Sequence, residues 1–167
     1  EFIEKKNISF AISESSQNPD IEKMSAVRHA ISIEKKSPVI VKWNTSPKAI
    51  GFSNLSELHK KISPLTPDHV IRTKISPIVL KKDFHDDVKK YRSEYEKYFQ
   101  RNSNGNQICL EASPKWGIFP EIGICSFGSN LTDAEIISDI TGHTIEAIQI
   151  GEHLGGWKGL GEKDLFE

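Results

Sequence analysis

Trp116-Gly117-Ile118-Phe119-Pro120-Glu121-Ile122-Gly123-Ile124-Cys125-Ser126-Phe127-Gly128 is the stretch on which the fold turns. Two short runs rich in β-branched and aromatic residues, 116–119 and 122–127, flank Pro120, and each reads as a strand. Thr132 and Glu135 follow at capping-box spacing, so a long helix is expected to begin there. It carries Ile137, Ile140, Thr144 and Ile148 on one stripe, and Ile136, His143, Ala147 and Ile150 on the next. Such breadth implies burial on more than one side. Gly151, Gly155 and Gly156 loosen or end the helix.

Working upstream, residues 107–112 alternate Ile108, Leu110 and Ala112 against Cys109 and Glu111, the period of a half-buried strand. Residues 83–101 read as a helix, with Asp83, Asp86 and Asp87 at its start and Lys97 and Arg101 near its end, in accord with the macrodipole. Val88, Tyr91, Tyr95, Tyr98 and Phe99 form its apolar face. Residues 70–74 and 77–80 are two further extended candidates. Asn54, with Glu57 three residues on, is a candidate cap for a helix that Pro64 and Pro67 end. Residues 38–43 read as a buried strand, and Ile21, Met24, Val27, Ala30 and Ile31 recur at helical spacing.

Strands interleaved with helices predict an α/β layered fold, with a small, mainly parallel or mixed sheet flanked by helices. Residues 1–19, with a polar stretch at 13–19, are expected to be a flexible lead-in, and residues 20–167 a single domain. The chain has 22 Lys and Arg against 23 Asp and Glu, a net charge of -1. That balance gives no pull toward nucleic acid or anionic lipid. No apolar run approaches the roughly 20 residues of a membrane span, and the first residues lack a signal-peptide core. Cys109 and Cys125 are too few for a disulfide scaffold and are expected to be reduced, buried strand residues, which fits a cytoplasmic protein.

The six histidines show no H-x-H, H-E-x-x-H or Cys/His cluster, so no metal set emerges from spacing. His85, Asp86 and Asp87 suit a helix start, and His143 reads as a hydrogen-bonded core histidine. Neither glycine-rich run fits a dinucleotide fingerprint or a P-loop, and no G-x-S-x-G is present. Gly128 and Thr132 do lie where a strand meets a helix N-terminus. That is either a generic anion site or a tight turn without a ligand.

The densest polar segment is Thr66-Pro67-Asp68-His69-Val70-Ile71-Arg72-Thr73-Lys74. Read as a proline-led turn and an extended run, it sets Asp68 and His69 in the turn and Arg72 and Lys74 on one strand face. These four residues could contact a phosphate or a carboxylate, or form a capped turn with solvated cations.

The same segment resembles the TPDH-[LV]-IRTK motif of bifunctional class II aldolase/short-chain dehydrogenase proteins of the rhamnulose-1-phosphate aldolase/alcohol dehydrogenase type. The likeness continues colinearly. Residues 24–32 are similar to the family's "lPaLRgalS" helix, 91–99 to "YReDYraYY", and 117–128 to "vlvPglGmfsfGk". Residues 139–152 are similar to "aadiYrhTIevmrgAE", and 162–167 to the beginning of "LpeaDlFdvEYW". Two departures stand out: Ile122 lies near the family's usual Pro-Gly-Leu-Gly turn, and Gly142 replaces a bulkier helix residue.

The resemblance implies an intermediate, non-catalytic domain of a longer polypeptide, between an aldolase domain holding zinc and a dehydrogenase domain holding NAD. No cofactor is expected in this chain. Its implied partners are those flanking domains, with a sugar phosphate as a further candidate ligand. The alternative is a small-molecule module in which the turn and helix N-terminus from Gly123 to Thr132 hold an anionic sugar phosphate.

Overall fold

The computed structural model describes residues 8–13 and 20–166. In chain order its elements are α1 (Ile21–Lys35), β1 (Ile40–Asn44), α2 (Pro47–Ser53), α3 (Ser56–His59), α4 (Pro67–Thr73) and β2 (Ile78–Val79). These are followed by α5 (Phe84–Asn102), β3 (Trp116–Phe119), β4 (Gly123–Gly128) and α6 (Leu131–His153). Of the expected lead-in over residues 1–19, residues 1–7 and 14–19 lie outside the described residues. Residues 8–13 lie against the body: Ala11 N donates to Gln149 Oε1 at 2.9 Å, and Ser13 N to the Pro47 carbonyl at 3.0 Å.

The fold is α/β, with a four-stranded mixed sheet in the order β1-β4-β3-β2. β4 runs antiparallel to both β1 and β3, and only β2 and β3 are parallel. Of the two expected forms, mainly parallel or mixed, the sheet is the mixed one. The cause is the connection through Pro120, which is too short for the crossover that parallel neighbours need. Ile122 N donates to the Phe119 carbonyl at 3.1 Å, with Pro120 second in the turn and Glu121 at φ 69°. That is the type II pattern, which closes a hairpin.

Every residue of β3 and β4 is buried, so helices cover both faces. Alternation divides the strand side chains between two cores. Cys125, Phe127 and Phe119 join Val27, Ala30 and Ile31 of α1 and Val88 and Tyr91 of α5. Trp116, Ile118 and Ile124 join Ala49 and Phe52 of α2 and Ile137, Ile145 and Ile148 of α6.

α1 forms as its periodicity predicts, and α5 as its terminal charges and apolar face predict. Asp20 and Asp83 each accept a backbone N–H of the first turn, and Lys36 closes α1 in the left-handed region at φ 57°. α5 is anchored by its aromatic face: Tyr91 Oη donates to the Ser76 carbonyl and Tyr98 Oη to the Leu165 carbonyl. Among the described residues no helix is long and apolar enough to cross a membrane.

Several local expectations change. Residues 70–74 belong mostly to α4, because Pro67 pre-sets the first helical φ and Asp68 suits the positive end of the helix. Residues 107–112 form no strand: Ile108 is 86% exposed and Cys109 is exposed, whereas Cys125 is buried as expected. Alternation without a neighbour to pair with does not make a strand. Asn54 does not N-cap α3, where Leu55 holds that position; it is the C-cap of α2, and its Oδ1 accepts from Glu121 N at 2.9 Å and so pins the β3–β4 turn. α6 starts earlier than the Thr132–Glu135 box requires. Asn130 is its N-cap, accepting from Asp133 N at 2.9 Å, while Asp133 Oδ2 accepts from Ser129 N at 3.0 Å. His143 is exposed rather than in the core, because α6 buries the line Ile137, Thr141, Thr144, Ile145 and Ile148.

Candidate functional site

The polar segment at 66–74 separates its charges. Lys74 N donates to the Val70 carbonyl at 2.8 Å and closes α4. Thr73 Oγ1 returns to the His69 carbonyl at 3.0 Å. The chain then leaves the helix through Lys74 at φ 59° and ψ 178°, a conformation that belongs almost exclusively to glycine and costs of order 1–3 kcal/mol in any other residue. What a lysine brings to such a position, where glycine would be unstrained, is its side chain.

That side chain runs beneath α5. Lys74 is 7% exposed, its Nζ lies 3.8 Å from the centroid of the Tyr95 ring, and it donates to the Glu111 backbone carbonyl. Burial pushes the ammonium pKa down to about 8, and the charge of Lys115 acts in the same direction; Glu111 and Cys109 oppose it. Lys74 forms part of the wall of a cavity of about 220 Å³, shared with Tyr95, Tyr98, Phe99, Leu110, Lys115 and Phe166.

Three distant segments build this pocket. α4 delivers Lys74, α5 supplies the aromatic wall, and residues 110–115 supply Leu110, Glu111 and Lys115. The C-terminal segment closes the remaining side. Glu162 receives Arg101 Nη2 at 2.7 Å and Asn102 Nδ2 at 3.1 Å, and Leu165 behind it is 1% exposed.

The other members of the segment lie elsewhere. Arg72 is exposed and its Nη1 stands 3.9 Å from Asp133 Oδ1, at the start of α6. Asp68 is exposed in the first turn of α4. His69 is half-buried, and its Nδ1 is buried without a hydrogen-bond partner among the described residues. Helical geometry explains the separation. Positions 68 and 72 are one turn apart on one face, whereas Lys74 lies beyond the helix end and follows a different backbone direction.

Gly128 and Thr132 do lie at the β4–α6 junction. A Cβ at Gly128 would stand 2.3 Å from Ala134 N, so glycine is required there for backbone to approach backbone. The positive end of α6 already carries the Asp133 carboxylate and the Asn130 side chain. Thus Arg72 and the Gly128–Thr132 turn are neighbours through Asp133, and Lys74 is set apart from both.

Sequence reasoning singled out Lys74 but not its surroundings. Tyr95 reads from the sequence only as part of an apolar helix face, and nothing in the spacing links residue 74 to residue 115. Among the described residues, no three of His, Cys, Asp and Glu gather as a metal site, so no side chain here is assigned to zinc.

Comparison with known proteins places the chain. Residues 18–167 match the family described as aldolase class II, second domain. The chain is also similar to "Uncharacterized oxidoreductase YuxG" of Bacillus subtilis (strain 168), at 24% identity over 157 residues. That match covers 86% of this chain and 22% of the relative, so the chain spans about a fifth of that protein's length. No solved structure matches. With the family match running through both cores, the Lys74 pocket and the C-terminal segment that closes it, the chain belongs to the family of aldolase class II second domains.

Proposed function

We propose that this domain is the connecting domain of a bifunctional sugar-phosphate aldolase/short-chain dehydrogenase and has no complete active site of its own. The observation that carries the reading is one of proportion: the second-domain family fills residues 18–167, yet the oxidoreductase-named relative is matched over only 22% of its length. In this reading the flanking regions hold the chemistry, with zinc upstream for cleavage of a ketose 1-phosphate and NAD downstream for oxidation of the aldehyde released. The protein would work in the cytoplasm.

The outer face of α4 suits contact with a flanking domain. Asp68, Ile71 and Arg72 are exposed there, and Ile71 is 63% exposed although apolar. Exposed apolar side chains rimmed by charge are a common form of inter-domain contact.

The test is to express the complete reading frame beside residues 1–167. Zinc-dependent cleavage of a ketose 1-phosphate and NAD reduction are expected from the complete protein, and neither from the shorter chain. A frame without an H-x-H upstream and a glycine-rich strand–turn–helix downstream would overturn the reading.

A further inference from the structure

An ammonium carries three donor hydrogens. At Lys74 one of them meets the Glu111 carbonyl, the cation faces the Tyr95 ring, and the residue is almost wholly buried. No carboxylate among the described residues forms an ion pair with Lys74 or with Lys115; the Glu111 carboxylate receives Ser113 Oγ and acts on Lys74 only through space. A buried cation whose nearby carboxylate, Glu111, acts on it without pairing with it, and which also faces the charge of Lys115, is costly, and here it stands in a backbone conformation that is itself strained. Both costs fall on one residue, and that residue forms part of the wall of a cavity.

The lining identifies what the cavity would accept. Two lysines against the one carboxylate of Glu111 leave a net positive charge at one part of the wall, and Tyr95, Tyr98, Phe99, Leu110 and Phe166 make most of the rest aromatic and apolar. A polyhydroxylated phosphate ester needs a lining rich in hydrogen-bond partners, which this one lacks. At about 220 Å³ the cavity is smaller than the usual range for drug-sized ligands, so the guest is small.

We propose that this cavity binds a small organic carboxylate, its anionic group held by Lys74 and Lys115 and its apolar or aromatic body lying against Tyr95, Phe99 and Leu110. The ligand supplies a directly paired carboxylate, which Glu111 does not, and fills the remaining ammonium donors with charge-assisted hydrogen bonds. The site is independent of the connecting role, since a domain that joins two enzymes has no need of it.

Titration calorimetry of the whole chain with benzoate and with butyrate tests the proposal, with benzamide and inorganic phosphate as comparisons. Both acids are expected to bind, the two comparison compounds at least about tenfold more weakly, and Lys74→Met to weaken acid binding by at least about tenfold. Lys115→Met is expected to have a smaller effect in the same direction. Acid affinity is also expected to fall as pH rises above about 8, where free Lys74 loses its proton, rather than near the usual lysine range. Circular dichroism establishes that Lys74→Met is folded; methionine keeps the apolar stem and removes the buried charge with its hydrogen bond to the Glu111 carbonyl and its contact with the Tyr95 ring. Absence of binding heat at millimolar acid, equal affinity in Lys74→Met, or phosphate binding as tight as benzoate would each overturn it.

Discussion

Lys74 Nζ lies 3.8 Å from the centroid of the Tyr95 ring, while the Lys74 backbone holds a φ of 59° that favours glycine. The cation–π contact and one hydrogen bond are modest gains set against strain and desolvation on the same residue. Removing the charge while keeping the stem should therefore not harm the fold. Lys74→Met is expected to leave the unfolding free energy from urea melts unchanged or to raise it by up to about 1 kcal/mol. A loss above about 2 kcal/mol would mean that the ammonium is a structural element rather than a charge held for a ligand.

The depressed ammonium gives that comparison a pH signature. Lys74 holds a folded pKa of about 8 against an unfolded value of 10.5. Between these values the unfolded chain binds the extra proton, so stability rises with pH. Below about pH 8 both states are protonated and the folded protein bears the whole penalty. Across the window the gain approaches about 3 kcal/mol. Burial pushes the Tyr91 hydroxyl and the Cys125 thiol up, and those groups act with opposite sign once the unfolded chain begins to lose their protons above about pH 9. The difference between wild type and Lys74→Met isolates the lysine. It should shift in favour of wild type from pH 8 to 10, and a flat difference would contradict the burial of the ammonium.

The two cysteines report on the part of the chain where periodicity misled. Cys109 is exposed and Cys125 is buried in β4, with its Sγ 3.7 Å from the Gly117 carbonyl. One thiol is expected to react with a disulfide reagent in the native protein, and the second only after unfolding. Rapid reaction of both would place β4 at a surface and break the sheet order.

How much was legible from the sequence depended on how local the deciding contact was. The spacing of Ile21, Met24, Val27, Ala30 and Ile31 and the acids Asp83, Asp86 and Asp87 act within their own helices, so α1 and α5 are readable from their residues; the Asp20 cap of α1 is visible only in the structure. Gln107 to Ala112 has the alternation of a strand but no partner to pair with, and pairing is decided elsewhere in the chain. At 70–74, β-branched Val70, Ile71 and Thr73 suggested extension, yet Pro67 and Asp68 set a helix in which tertiary contacts outweigh propensity. The candidate site was half legible for the same reason. Lys74 stands in a dense motif, but Tyr95, Lys115 and Phe166 reach it only through folding, from 21, 41 and 92 positions away.

Two glycines separate close packing from open helix surface. At Gly128 a Cβ would meet Ala134 N at 2.3 Å, Asn130 O at 2.6 Å and Ala134 Cα at 2.8 Å, all backbone and unable to yield cheaply. At Gly142, within α6, a Cβ meets nothing within 4 Å. Gly128→Ala is expected to destabilise by several kcal/mol or abolish folding, and Gly142→Ala to stabilise by roughly 0.5–1 kcal/mol through helix propensity. Thermal melts of the two variants compare them directly, and similar effects of the two would contradict the β4–α6 junction.

The start of α6 offers the sharpest contrast between a motif and a cap. Thr132 and Glu135 have capping-box spacing, yet Thr132 sits inside the first turn and Asn130 accepts the Asp133 N–H at 2.9 Å. Asp133 answers by accepting from Ser129 N at 3.0 Å, which puts its carboxylate at the positive end of the helix and within 3.9 Å of Arg72. Asn130→Ala is expected to cost about 1 kcal/mol, because an N–H of the first turn loses its acceptor. Thr132→Ala should change stability by less than about 0.5 kcal/mol. Arg72→Ala should also be small, since its ion pair is exposed and screened by solvent. Denaturant melts of the three variants give the order, and a larger loss at Thr132 than at Asn130 would restore the later helix start and with it a free N-terminus beside Gly128. With the order as expected, the anion-binding capacity of that turn is met from within the chain.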